Sequence, residues 1–394
     1  MRKPIGVALA ALAVIAGLLP LAPANAVVTF SVGTPITDGV PLCGTSNGRS
    51  AGDDGAFTVA DYNVLHSDTD EGDKSLGERM PLLADALADT SADVIGLEEV
   101  AMNLVYDPKN EYPQKHGLVV ARLAALLTQR TGETWSWCFS RSNPHVPLTP
   151  DVQEGGGNPL DDQAAAKGNF PEQSDFSEGL AIVSRYPITR ARFRRDLPRS
   201  YEAVACPNLD PFCRLDATFD ARQVLYARVR TPQGALDMFV THLAHGITPL
   251  STTTKQLQAR QTMALVHKWS NPNDALPDVL VGDFNSKPSS AALRTTAAGG
   301  LVDTYAVSGA PECQAAGGPG CSGNPYTGEE TYTKTPTRHM STRIDFILAR
   351  PPQGCALRVP MSRMIGDRPI KRVDGRYVWP SDHNGFVSQI ACAR

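Results

Sequence analysis

Apolar positions recur with two periods along this chain, and the alternation between the periods predicts its layout. Phe57 and Val59 open an every-other-residue run that reaches Val64, the pattern of a strand. Leu76, Met80, Leu83 and Leu87 then stand at i, i+4, i+7 and i+11, one face of a helix. Asp93-Val94-Ile95-Gly96-Leu97 is a short apolar run of the buried-strand kind, and 118–127 is a second helical stretch stopped near Gly132. Further strands are predicted at 179–184, 224–230, 236–243, 278–283, 343–349 and 385–390, with a helix at 254–269. Trp135 and Trp137 flank Ser136 as core strand residues do.

Three stretches break the pattern. Residues 27–55 are rich in Gly, Ser and Asp and read as a lead-in loop. Residues 143–177 hold Gly155-Gly156-Gly157 and several prolines, the composition of an exposed insertion, and 306–334 form a second Gly/Pro-rich insertion. With no internal repeat and no evident linker, 56–394 reads as one domain with decorated loops. The N-terminus reads differently. Arg2 and Lys3, an apolar run from Ile5 to Leu19 and the small-x-small site Ala24-Asn25-Ala26 predict a cleavable secretory signal over 1–26. The apolar run falls short of the roughly 20 residues a spanning helix needs, so no integral membrane span is expected.

Composition narrows the class. At 394 residues, 42% hydrophobic and 20% charged, the chain can bury a large core, which excludes a disordered protein, a collagen-like fibre and a coiled coil. All eight cysteines follow the signal, so an exported protein could form four disulfides; Cys206–Cys213 and Cys313–Cys321 are the local pairs. Cys43, Cys138, Cys355 and Cys392 then leave three pairings. No C-x2-C pair occurs, which argues against structural zinc. Losing Arg2 and Lys3 moves the formal net charge from −4 to −6. That acidity argues against a strongly basic nucleic-acid clamp, but not against a metal-assisted enzyme acting on phosphate.

Candidate chemistry gathers at the predicted strand ends. Asn63 ends Tyr62-Asn63-Val64; Glu98 and Glu99 follow the 93–97 run; His242 lies in Thr241-His242-Leu243, with His245 close behind. Asp283 and Asn285 lie in Gly282-Asp283-Phe284-Asn285, Asp345 in Arg343-Ile344-Asp345-Phe346, and Asp382 and His383 in Ser381-Asp382-His383. Strands carry such groups rigidly to one edge of a sheet, where ligands of α/β proteins bind. Arg190, Arg192, Arg194, Arg195 and Arg199 form a basic stretch read as the solvated face of a strand, with Ala191 and Phe193 on the other face.

From about Phe57 to Ile390 the chain resembles the endonuclease/exonuclease/phosphatase superfamily of metal-dependent phosphoesterases. The resemblance is carried by Asn63, D-V-I-G-L-E-E-V at 93–100, S-E-G-L-A-I-V-S-R-Y-P at 177–187, T-H-L-A-H at 241–245, V-G-D-F-N at 281–285, R-I-D-F at 343–346 and S-D-H-N at 381–384. It implies a four-layer α-β-β-α sandwich, two packed and mostly antiparallel sheets with helices outside. It also implies that Glu99, with Asn63 and Asp382, holds magnesium, a role manganese suits equally. His383 becomes the general base, fixed by Asp345; Asp283 and Asn285 position the attacking water and a phosphate oxygen; His242 donates to the phosphoryl oxygens.

The family usually has Gln before the metal-binding Glu, whereas Glu98 stands here, and its side chain is expected to face solvent. Glu178 stands where nuclease-like members pair a carboxylate with the first histidine, and His245 has counterparts in some branches. The expected substrate is a phosphodiester: a phospholipid head group, a small diester or nucleic acid. A secreted deoxyribonuclease-like endonuclease is the alternative, and a non-catalytic binding module on the same fold is the rival class.

Overall fold

The computed structural model describes residues 38–39, 41–44, 56–65, 76–105, 119–141, 174–194, 201–202, 216–217, 222–247, 249–314, 317–323 and 331–393. The first half runs through short strands β1 (Asp38–Gly39) and β2 (Leu42–Gly44), then β3 (Ala56–Asn63), α1 (Leu76–Ala88), β4 (Val94–Val105), α2 (Val119–Thr131), β5 (Ser136–Arg141), β6 (Ser174–Ser184) and β7 (Ile188–Arg194). Two short strands, β8 (Tyr201–Glu202) and β9 (Asp216–Ala217), pair with each other. The second half runs through β10 (Val224–Thr231), β11 (Gly234–His242), α3 (Pro249–Trp269), β12 (Asp278–Asp283), α4 (Ala291–Ala298), β13 (Val302–Asp303) and α5 (Thr304–Val307). It ends with β14 (Tyr332–Thr333), β15 (Asp345–Arg350), β16 (Ala356–Ile365), β17 (Ile370–Lys371), β18 (Tyr377–Val378) and β19 (Gly385–Ala393).

Two seven-stranded sheets result. One has the order β1-β7-β10-β11-β12-β15-β13 and the other β16-β19-β3-β4-β6-β5-β2. Each is antiparallel except for one central pair, β11 with β12 and β3 with β4. Strand alternation divides their side chains between layers. Phe57, Val59, Met238, Val240, Val279, Val281 and Ile347 fill the space between the sheets. Ala60, Tyr62, Ile95 and Leu97 face the other way and pack on Leu76, Met80, Leu83 and Leu87 of α1 and Leu123 and Leu127 of α2. Phe239, Leu280, Phe346 and Leu348 likewise pack on α3 and α4. Helix, sheet, sheet, helix: the four-layer sandwich is observed.

Gly96 explains how closely the sheets approach. A Cβ there would collide with Val281 Cγ2 and press on Val240 Cγ2 across the interface. Three expectations need correction or extension. The 27–55 lead-in is not all loop, since β1 pairs with β7 and β2 with β5, one on each sheet edge. Strands β4 and β6 are longer than the apolar runs predict, and β6 takes in 174–177 of the first insertion, the rest of which lies outside the described residues. The 306–334 stretch is not mere decoration, since its described part packs beneath the catalytic-type loop 381–384.

Cys313–Cys321 pairs as expected, and the remaining ambiguity resolves to Cys43–Cys138 and Cys355–Cys392. The 1–26 segment and the Cys206–Cys213 pair lie outside the described residues. Among the described residues, no helix is long and apolar enough to cross a membrane.

Candidate active site

The interface between the sheets is apolar along most of its length and polar at one end. On β3 the inward positions run Phe57, Val59, Asp61, Asn63; on β11 they end at His242, on β12 at Asp283, and β15 begins with Asp345. Register brings these ends together: His242 lies opposite Asp283, and Asp283 opposite Asp345. The strand pattern therefore drives the candidate residues to one place.

Glu99 needs an additional device. Simple alternation would turn it toward the helices beside Leu97. Instead the β4–β6 register shifts between Leu97 and Val100, a β-bulge, and Glu99 takes φ +54°, a left-handed conformation costly for a residue with a Cβ. The extra residue re-aims Glu99 and returns Val100 to the helix-facing core. Asn285 is the second strained residue of the site, at φ +46°. Its backbone N–H donates to Asp283 Oδ1 at 2.6 Å, and Lys255 Nζ on α3 donates to its carbonyl at 2.7 Å. Such strain persists only where neighbours fix it.

Asn63 bridges the two sheets. Its amide nitrogen donates to Glu99 Oε1 at 3.0 Å and Asp283 Oδ2 at 3.2 Å, while its Oδ1 accepts from the Leu65 N–H. Asn285 Nδ2 lies 3.0 Å from His242 Nε2, 3.1 Å from the Leu243 carbonyl and 3.3 Å from Asp283 Oδ2. His383 Nδ1 sits 3.0 and 3.1 Å from the Asp345 carboxylate oxygens, and its Nε2 faces Asp283 Oδ2 at 3.8 Å. Asp345 is fully buried, so its charge acts on the imidazole with little screening.

Burial and charge set the protonation of these groups. Burial pushes Asp283 up to about 7, and the neighbouring Asp345 pushes the same way. Burial lowers His242 well below the ordinary histidine value, aided by the Arg222 cation, so it stands neutral. Burial acts downward on His383 too, but Asp345, Asp382 and Asp283 outweigh it and raise the imidazole.

Glu98 corrects an expectation. It is fully buried, not solvent-facing, because its strand position continues the inward face of Val94 and Gly96. It meets Asp61, which the motif reading passed over although it alternates with Asn63 on the same face. Apart from each other, the two carboxyl groups have no hydrogen-bond partner among the described residues. Burial, then mutual repulsion or that of Asp345, raises both well above the usual carboxylate range.

Five acids in so small a volume call for positive charge. Ligand atoms of Glu99, His242 and Asp283 lie within 4.8 Å of one another, as do those of Asp283, Asp345 and His383. The oxygen-rich first group suits a hard divalent cation. Asp382 stands outside both clusters and accepts from Ser381 Oγ at 3.2 Å. His245 is exposed on the loop after β11, and Glu178 lies on β6 opposite Ala101, its side chain outside the described set.

Fold and site together define a class: a two-sheet α/β sandwich with carboxylates and histidines gathered at the shared end of its central strands. The endonuclease/exonuclease/phosphatase family matches residues 62–383, and the chain belongs to that family. Its members generally hydrolyse phosphoester bonds and depend on a metal. Among solved structures, the endonuclease/exonuclease/phosphatase from Beutenbergia cavernae DSM 12333 is similar with a TM-score of 0.51 and 21% identity, over 86% of this chain and 72% of that one. A family protein from Bacteroides thetaiotaomicron gives 0.50 and 14%, over 85% and 97%. The mannosyl-6-phosphatase of Bacteroides thetaiotaomicron VPI-5482 gives 0.50 and 15%, over 85% and 99%. No curated protein matches this chain in sequence.

Proposed function

We propose that this protein is an exported, divalent-metal-dependent phosphodiesterase that activates water with His383 for in-line attack on phosphorus. The observation that carries the reading is the Asp345–His383 pair set against the Glu99–His242–Asp283 cluster. The Nδ1–H of His383 donates to Asp345, which leaves Nε2 to take a proton from water. Asp345 stabilises the imidazolium that forms. Asp283, held by Asn63 and Asn285, orients the water, whose oxygen bonds to phosphorus as the opposite P–O bond breaks. Neutral His242 with Asn285 faces the oxygens on which charge builds. Glu99, Asp283 and His242 would hold the cation, with Asn63 and Asp382 in support; bound magnesium or manganese would neutralise the phosphoryl oxygens.

The substrate we favour is a short or lipid-borne phosphodiester. A chain of net charge −4, or −6 without its signal, offers few cations to a long duplex. Duplex binding through many phosphates weakens steeply with salt, by about 0.9 log units per phosphate for each log unit of salt. The test compares bis(p-nitrophenyl) phosphate, sphingomyelin vesicles, phosphatidylinositol vesicles, a sugar monophosphate and plasmid DNA with magnesium, from about 50 to 200 mM salt. Short or lipid diesters should be cleaved at least as fast as plasmid at the higher salt. Rapid DNA cleavage that falls by orders of magnitude with salt would replace this reading with the nuclease. Full activity in EDTA would overturn the metal requirement, and preference for the monoester would make the enzyme a phosphatase.

A further inference from the structure

The segment after the second insertion forms a wall behind His383. Arg338 sits on it and aims its guanidinium at the Ser381–Asn384 loop. One terminal nitrogen donates to the Ser381 carbonyl. The other donates to the His383 carbonyl at 2.8 Å and to Asn384 Oδ1 at 2.7 Å. The guanidinium carbon lies 4.3 Å from the centre of the Trp379 ring, so the group is stacked as well as hydrogen-bonded.

The residues it grips are tied down further. Asn384 donates through its backbone N–H to the Ser322 carbonyl at 2.8 Å and through Nδ2 to the Cys321 carbonyl at 2.9 Å. Ser322 Oγ accepts from the backbone N–H groups of Ile344 and Asp345, at 3.0 and 3.1 Å. His383 and its partner Asp345 are thus anchored to one framework, and Arg338 closes it on the His383 side.

We propose that Arg338 is a positioning residue for hydrolysis: it fixes the backbone on both sides of His383 and so sets the direction of the imidazole. The proposal rests on the reading of His383 as general base. A planar fork with donors on two terminal nitrogens can serve three acceptors at once, which a lysine ammonium on a flexible stem cannot do in the same geometry. A misplacement of about 1 Å at a general base can cost on the order of 100-fold in rate. Arg338 also lines a groove of about 1050 Å³ with Trp379, Pro380, Asn384 and Arg363. Truncating the side chain therefore opens its place to a free guanidinium ion.

The experiment measures kcat and KM on bis(p-nitrophenyl) phosphate with saturating magnesium for wild type, Arg338→Ala, Arg338→Lys, Arg363→Ala and His383→Ala. Arg338→Ala should lose roughly 10- to 100-fold in kcat with KM little changed. Millimolar guanidinium chloride should restore several-fold of that loss in Arg338→Ala alone. Arg363→Ala, which lines the same groove without touching the loop, should match wild type with and without guanidinium. Arg338→Lys keeps charge and stem but not the fork, and should show the same kcat defect at wild-type thermal stability; it decides the matter if the alanine variant fails to fold. Wild-type kcat in both Arg338 variants, with His383→Ala inactive, would overturn the positioning role and leave the hydrolytic reading intact. A defect that tracks only the unfolded fraction and vanishes in Arg338→Lys would also overturn it. Wild-type rates in His383→Ala would overturn the hydrolytic reading itself.

Discussion

Asp61 and Glu98 make the most demanding pair of side chains in the molecule. A buried acid that stays protonated in the folded chain but ionises when unfolded stabilises the fold at low pH and loses that contribution as pH rises. Both carboxyls are raised, so the window opens at the unfolded values near 4 and extends upward through the folded ones. Glu98→Gln keeps the shape and removes the titration. In EDTA its thermal midpoint should exceed that of wild type more at pH 8 than at pH 5. A pH-independent difference between the two proteins would refute this account. At the dyad, Asp345→Asn keeps a hydrogen-bonding group beside Nδ1 but removes the charge that stabilises the imidazolium. Its kcat should fall by less than the roughly 10²–10⁴-fold expected for His383→Ala, measured on one small diester. His383, Asp345 and Asp283 are legible in the sequence because each ends or follows an apolar run. The meeting of Asp61 with Glu98 is not legible, because it depends on the β3–β4 register, which no local pattern states.

Among the elements, β4 and β12 do the positioning, and each departs from a regular strand where it meets the site. The bulge of β4 was hidden because two adjacent glutamates look alike in sequence, and only the register tells which one is displaced. In β12 the departure is Gly282, at φ +150°, where a Cβ would run into the Thr241 carbonyl of the parallel neighbour β11. Gly282→Ala must push β12 away from β11 just before Asp283. Overpacking of this kind costs about 1–3 kcal/mol or more, so the variant should unfold at lower denaturant and lose activity together. Unchanged unfolding would show that the strands can part freely. The glycine itself is visible in the motif; the strand beside it is not.

For the whole molecule, the sandwich follows from amphipathic strands and helices, but the membership of each sheet does not. Strands β1 and β2 escape the pattern because two- and three-residue strands carry no periodicity. The disulfides secure such edges. Cys43–Cys138 closes a loop of 95 residues between β2 and β5, whereas Cys313–Cys321 spans 8. The chain-entropy relation gives about 4–5 kcal/mol for the first and about 2.5 for the second. Replacing Cys43 and Cys138 by Ser should therefore lower the denaturation midpoint more than replacing Cys313 and Cys321; the reverse order would mean that native-state packing around Ser322 outweighs loop closure.

One detail of sheet order has a consequence in time. Strand β19 is an interior strand, held between β16 and β3, and it pairs residues 386–391 with 56–61. During synthesis, β3 emerges early and waits with one edge unpaired until more than three hundred further residues have followed. Contacts that distant in sequence form late and slowly. His383, whose loop leads directly into β19, arrives at the same late moment. A nascent chain that has not yet reached β19 therefore has neither a closed second sheet nor a general base, and hydrolysis waits on the ribosome finishing that strand.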